Sequence, residues 1–147
     1  MLIRPAGPAD AAAWARMRNA LWPSETDEHT SEIGEYFEGT RSEPQEVLMA
    51  FDDGGSAIGF AELSIRPFAE GCYSGKVAYL EGWYVMPEAR RQGIGRALVH
   101  AAEQWGRDAG CCEFASDTEI ANAVSTKVHR ALGFVEVSRN VCFRKEL

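Results

Sequence analysis

The chain has 147 residues, 46% of them apolar and 25% charged, with 22 acidic against 15 basic side chains and a net charge of −7. That size suits one domain, residues 1–147, with a proper core, and the acidic balance argues against nucleic acid, whose phosphates want a basic face. No apolar run reaches the roughly eighteen residues of a membrane span, and the N-terminus has no signal-peptide layout, so a cytoplasmic protein that does not enter membranes is expected.

Residues 2–4 read as a first short strand, and Pro5-Ala6-Gly7-Pro8 as a turn. Asp10 stands where a helix start favours an acid, and residues 11–21 follow as a helix with Ala13, Met17 and Leu21 on one face. Pro23 ends it. Trp22, just before that proline, reads as a cap on the core or as an exposed stacking wall, and the residues alone favour the cap. Residues 24–43 are strongly acidic, and Ile33, Tyr36 and Phe37 give them a partial apolar face, so a second short helix is expected. Its acids are either plain solvated charge or a negative lip over a cleft.

Residues 47–51 and 57–65 read as strands joined by the hairpin turn Asp52-Asp53-Gly54-Gly55-Ser56, with Gly59 a bulge or close-packing point. A loop over 66–75 carries Phe68 and Tyr73. Residues 77–86 form the next strand, 93–109 a helix ended by Gly110, 112–116 a strand ending at Asp117, and 122–132 a helix closed by Gly133. Two closing strands, 134–137 and 141–144, complete the chain. The order β-α-α-β-β-β-α-β-α-β-β implies an α/β (α+β) fold, a mixed twisted sheet of six to seven strands with about four helices on its faces. Cys72, Cys111, Cys112 and Cys142 have no metal-site spacing, so reduced and mostly packed thiols are expected, with no metal.

The chemistry-bearing stretch is the corner from Glu81 to Val99. Trp83, Tyr84 and Val85 are strand formers, and Pro87 ends the run. Arg90, Arg91, Gln92, Gly93, Ile94, Gly95 and Arg96 make a basic, glycine-bearing turn. From Ile94, apolar residues recur at helical spacing. Such a turn aims backbone N–H groups and a helix dipole at an anion, so it reads as a pyrophosphate cradle. It is not a P-loop, which needs a Gly-Lys-Ser/Thr ending, nor a dinucleotide fingerprint, because Leu98 stands where the third glycine would be.

The pattern Arg-x-x-Gly-x-Gly after a strand ending in Val-Met-Pro resembles the acetyl-CoA motif of the GNAT acetyltransferase superfamily. The element order is also that of the GNAT fold. The resemblance implies that the strands flanking the cradle helix splay apart, that the pantetheine arm lies between them on Trp83 to Val85, and that Asn122 bonds that arm. Trp22-Pro23, Leu80-Glu81-Gly82, Ala115-Ser116-Asp117-Thr118 and His129-x-Ala131-Leu132-Gly133-Phe134 together look like an aminoglycoside 6′-N-acetyltransferase. That group acetylates a cationic aminoglycoside with acetyl-CoA.

By this resemblance Asp117 is the candidate base and Glu81 a second acceptor carboxylate, while Trp22 and Phe68 are aromatic walls for the sugar rings. An ammonium must lose a proton before it can attack a thioester, which gives such carboxylates their task. Glu136 is a further acid near the cleft, and Ser138 stands where the family often carries one. His129 occupies the place of the wider superfamily's thiolate-protonating tyrosine; the alternative is a structural histidine. The resemblance also implies a homodimer, with residues 141–144 near its interface. Two other functions fit the cradle: acetylation of another small cationic amine or a protein N-terminus, and non-catalytic acyl-CoA binding.

Overall fold

A computed structural model describes all of residues 1–147. Five strands form one sheet: β1 (Leu2–Pro5), β2 (Glu46–Phe51), β3 (Ala57–Arg66), β4 (Val77–Val85) and β5 (Glu113–Ser116). They lie in chain order. β1 to β4 are antiparallel, and β5 joins β4 in parallel after a crossover. The helices are α1 (Ala11–Leu21), α2 (Glu28–Glu38), α3 (Ile94–Asp108) and α4 (Ala123–Ala131).

Strand alternation sorts the core into two layers. Val47, Met49 and Phe51 of β2 turn to one face with Phe60 and meet Trp14 and Met17 of α1 and Ile33 of α2. Leu48 and Ala50 turn to the other, with Ala61, Leu63 and Leu80, and meet Ile94, Leu98, Val99 and Ala102 of α3. Helices therefore cover both faces, which explains why β2 reads as a continuous apolar run. Trp14, fully buried, anchors α1 where the sequence had pointed to Ala13, Met17 and Leu21.

The polar pin of that layer is Glu62 on β3, 2% exposed. It accepts from Trp14 Nε1 at 2.9 Å and from Arg18 Nε at 2.8 Å. Burial pushes the Glu62 carboxyl up, and the Arg18 and Trp14 donors oppose that shift. Arg18 also pairs with Glu32, and Arg41 pairs with Glu32 and Glu35. The acids of α2 are therefore partly neutralised, which weakens the reading of that helix as a free negative lip.

Three expectations need correction. The sheet has five strands, not six to seven: residues 134–144 run without a ladder partner. Val135, Val137, Val141 and Phe143 are strand formers, but a strand is a paired object, and these side chains stand exposed. Second, of the two readings of Gly59 only the bulge fails, since the register slip between β2 and β3 skips Ile58. Gly59 is a close-packing point, since a Cβ there would stand 2.8 Å from the Tyr84 carbonyl oxygen. Third, Cys112 and Cys142 are exposed thiols; Cys111 is buried and Cys72 partly so.

Candidate active site

The corner between β4 and α3 is built from backbone. Arg91 (φ 62°) and Gly93 (φ 82°) both take left-handed conformations, and Gly93 caps α3. An L-residue with a Cβ rarely adopts that conformation, so glycine suits the cap. The first α3 bond to a preceding carbonyl is from Ala97 N–H to Gly93 at 3.0 Å. The amides of Arg91 through Arg96 therefore have no acceptor in the protein. A helix start always leaves such donors, and a ligand is one way to satisfy them. The Arg91 and Arg96 side chains are exposed and in no ion pair. Arg90 instead turns back, donating from Nε to the Val85 carbonyl at 2.9 Å with its guanidinium 5.7 Å from the Tyr84 ring centroid. Gly95 is needed for packing, since a Cβ there would come within 2.9 Å of the Trp83 indole.

β4 and β5 part company beside this corner. Their last register pair is Leu80 with Ser116, after which β4 runs on alone through Trp83 and Tyr84 to Val85. That stretch is paired to β3 on one edge and open on the edge that faced β5. The Trp83 indole N–H is buried and has no acceptor. At the fork, His129 sits edge-on to Trp83 with ring centroids 5.9 Å apart. Its Nδ1 donates to the Ser125 carbonyl at 2.8 Å, and its Nε2 is hydrogen-bonded with the Ser116 hydroxyl at 2.9 Å. Asn122 caps α4, its side-chain oxygen accepting from Ser125 N–H at 3.0 Å, which leaves its NH₂ group outward.

Next to the fork, side chains from four elements meet on one side of the sheet. The register slip between β3 and β4 skips Glu81, so this residue is bulged out of the ladder. Arg66, at the end of β3, donates to both Glu81 oxygens at 2.8 and 2.6 Å. The same guanidinium lies 3.6 Å from the centroid of the Tyr79 ring. The Tyr79 hydroxyl donates to Asp117, just past the end of β5. Asp117 has no cationic partner. Trp22, 38% exposed, leans over β4 at Gly82, where any Cβ would collide with the indole. Its carbonyl oxygen accepts from His29 Nε2 at 2.6 Å, and its ring lies 5.4 Å from the Arg18 guanidinium. Trp22 is therefore an exposed ring lying over β4, not the core cap its position alone had favoured.

Comparison with known proteins decides the family. The description "Acetyltransferase (GNAT) family" matches residues 14–134. The chain belongs to the GNAT acetyltransferase family. An aminoglycoside N(6′)-acetyltransferase type 1 from Klebsiella aerogenes is 58% identical over 147 residues, covering 99% of this chain and 97% of that relative. One of the same name from Stenotrophomonas maltophilia is 42% identical, covering 99% and 93%. Among solved structures, AAC(6′)-Iy in complex with the bisubstrate analogue CoA-S-monomethyl-acetylneamine superposes with a TM-score of 0.90 at 38% identity, covering 99% of this chain and 98% of that one. AAC(6′)-Ig from Acinetobacter haemolyticus gives 0.91 at 36% identity, covering 100% and 99%.

Within this GNAT domain, the structure gathers Trp83, Tyr84, Val85 and the turn from Arg91 to Arg96 at one end of the open strand edge. Glu81, Asp117 and Trp22 gather at the other. Phe68 stands in the β3–β4 loop, 64% exposed. Glu136 is not brought to Glu81 or Asp117 by any bond; Arg130 holds it at 2.6 Å and Arg139 also pairs with it, both holding its carboxyl below the usual range. Two residues near the fork escaped the sequence reading, Arg66 and Tyr79. Tyr79 was within reach of it, because it stands two residues before Glu81 on one strand.

Proposed function

We propose that this protein transfers the acetyl group of acetyl-CoA to the 6′-amino group of aminoglycosides and so confers antibiotic resistance. The observation that carries the reading is the open edge of β4, which runs from the free amides of residues 91–96 to the carboxylate of Asp117. The residues present fit CoA. Unpaired N–H groups and the Arg91 and Arg96 charges suit its diphosphate, the open strand edge suits the amides of its arm, and the Asn122 NH₂ group adds a donor. Bound acetyl-CoA supplies a thioester, whose acyl carbon accepts the amine.

The roles of the chain's own side chains follow from their partners. Arg66 already neutralises Glu81, so the carboxylate left for a substrate ammonium is Asp117. Asp117 takes a proton from the ammonium, directly or through water, and frees the nitrogen lone pair. Attack of the freed amine on the thioester carbon would form the N–C bond and break the C–S bond, the nitrogen's second proton passing through water to the departing sulfur, so that amide and thiol are released. Glu81 orients the polycation through the oxygen lone pairs that Arg66 leaves open, while Trp22 and Phe68 give the sugar rings flat faces. His129 has both nitrogens engaged, so its first task is to hold β5 and α4 together at the fork. Glu136 and the other acids bias the surface toward cations.

The protein acts in the cytoplasm, where acetyl-CoA is at hand. Its four unpaired cysteines suit a reducing compartment, and no helix is long and apolar enough to cross a membrane. It works as a homodimer in which the segment after α4 pairs with a second copy. The support is the exposed row Val135, Val137, Val141 and Phe143 beside a sheet whose β5 edge carries no further strand. Light scattering on the purified chain reads this directly, and a monomer at micromolar concentration contradicts it.

The test of the activity is thiol release from acetyl-CoA in the presence of kanamycin or tobramycin. Stoichiometric release with acetylation at the 6′-nitrogen is expected. No release with any 6′-amino aminoglycoside at saturating acetyl-CoA overturns the reading.

A further inference from the structure

Asp117 lies just beyond a strand end, exposed, and no cation holds it. The terminal torsion of an aspartate is broad, so such a carboxylate would ordinarily present either oxygen in many directions. One contact restricts it. The Tyr79 hydroxyl donates to Oδ2, which leaves Oδ1 as the oxygen with open lone pairs.

Tyr79 is itself tightly held. The residue is 7% exposed, its ring packs with Ala69 and Val77, and the Arg66 guanidinium covers the ring at 3.6 Å while forking onto Glu81. Burial, then the bond to Asp117 and its charge, push the Tyr79 phenol well above its ordinary range. The hydroxyl therefore keeps its proton and is a donor at working pH, not a base. Arg66, Tyr79, Glu81 and Asp117 form one stack in which a single guanidinium fixes both the ring and a carboxylate.

We propose that Tyr79 is a positioning residue for the acetyl transfer: its hydroxyl clamps Asp117 so that the free oxygen faces the incoming amine, and Arg66 locks the ring that does the clamping. This rests on the reading of Asp117 as the base. A base held in one orientation is a preorganised one, and the effect falls on the chemical step, not on binding of acetyl-CoA.

The test is a double-mutant cycle of Tyr79→Phe and Asp117→Ala, read by kcat, by KM for acetyl-CoA and by thermal midpoint. Tyr79→Phe keeps the ring, its packing and the Arg66 stack, and removes the hydroxyl alone. Its kcat is expected to fall about ten- to a hundredfold, with KM for acetyl-CoA and the midpoint unchanged. Added to Asp117→Ala, Tyr79→Phe is expected to cost nothing more, because the residue it positions is gone. The proposal is overturned if Tyr79→Phe turns over like the wild type while Asp117→Ala is crippled, or if Tyr79→Phe costs the same factor in both backgrounds. A drop in kcat that comes with a lowered midpoint also overturns it, in favour of a structural role. Full activity in Asp117→Ala overturns the base reading and this inference together.

Discussion

The two ends of the open β4 edge are built on different principles. The cradle end is main chain: amides of Arg91 to Arg96 without acceptors, presented by left-handed Arg91 and Gly93 at the start of α3. The proposed acceptor end is side chain: Trp22 just past α1, Arg66 from β3, Tyr79 and Glu81 from β4, and Asp117 beyond β5. A main-chain device is local, so one contiguous stretch specifies it. A side-chain device is assembled across the sheet, so each piece looks ordinary until the register brings the pieces together.

Substitutions should separate the two ends. The largest effect is expected for Asp117→Ala, with kcat lowered on the order of 10²–10⁴-fold and CoA affinity intact, as general-base loss implies. Steady-state thiol release and calorimetry with CoA measure both, and a weakened CoA affinity with normal kcat would break the division. The converse is Gly93→Val. A Cβ at Gly93 meets nothing in the protein, so the cost is the left-handed backbone itself. That strain is on the order of 1–3 kcal/mol; the free turn relaxes to relieve it and CoA binding has to restore it, a loss of up to roughly five- to a hundred-and-fiftyfold in CoA affinity, with kcat at saturating cofactor largely kept.

Smaller effects sharpen the same contrast. Arg91→Ala and Arg96→Ala remove exposed charges but leave the amides in place. Each is expected to weaken CoA less than about tenfold, and the deficit should shrink as salt screens the wild-type advantage. A hundredfold loss from either would make the side chains, not the backbone, the holding device.

The smallest expected effect lies outside both ends, at Asp10. The Arg4 guanidinium holds its carboxyl below the ordinary range against a smaller opposing effect of burial, with help from the Gly7 N–H. A depressed folded-state pKa adds stability above the unfolded value of about 3.9, and that stability is lost as pH falls through the folded value. Asp10→Asn should therefore lower the melting temperature at neutral pH, and the gap to the wild type should close below about pH 4. A gap independent of pH would assign the effect to packing.

The same contrast explains how much was legible in the chain. The helices at 11–21 and 93–109, the hairpin around Gly54-Gly55 and the cradle turn rest on periodicity and turn chemistry, which are local, and the structure places them within a residue or so. The two closing strands were misplaced because Val135, Val137, Val141 and Phe143 carry strand propensity, while pairing depends on a neighbour that the residues do not encode. Trp22 lies outside the core because Gly82, sixty residues away, leaves room for its ring on β4. Arg66 and Tyr79 were missed because their importance lies in what they touch, Glu81 and Asp117, and only the bulge at Glu81 brings that set together.

The most direct test of the central claim is an amide-resolved nuclear magnetic resonance titration with CoA. The backbone N–H signals of residues 91–96 should move most, with the amides of Trp83 to Val85 next, and the pattern should persist in Arg91→Ala. If those signals stay in place while CoA binds, and the shifts gather elsewhere on the surface, the diphosphate is not held at this corner and the account of the site is wrong.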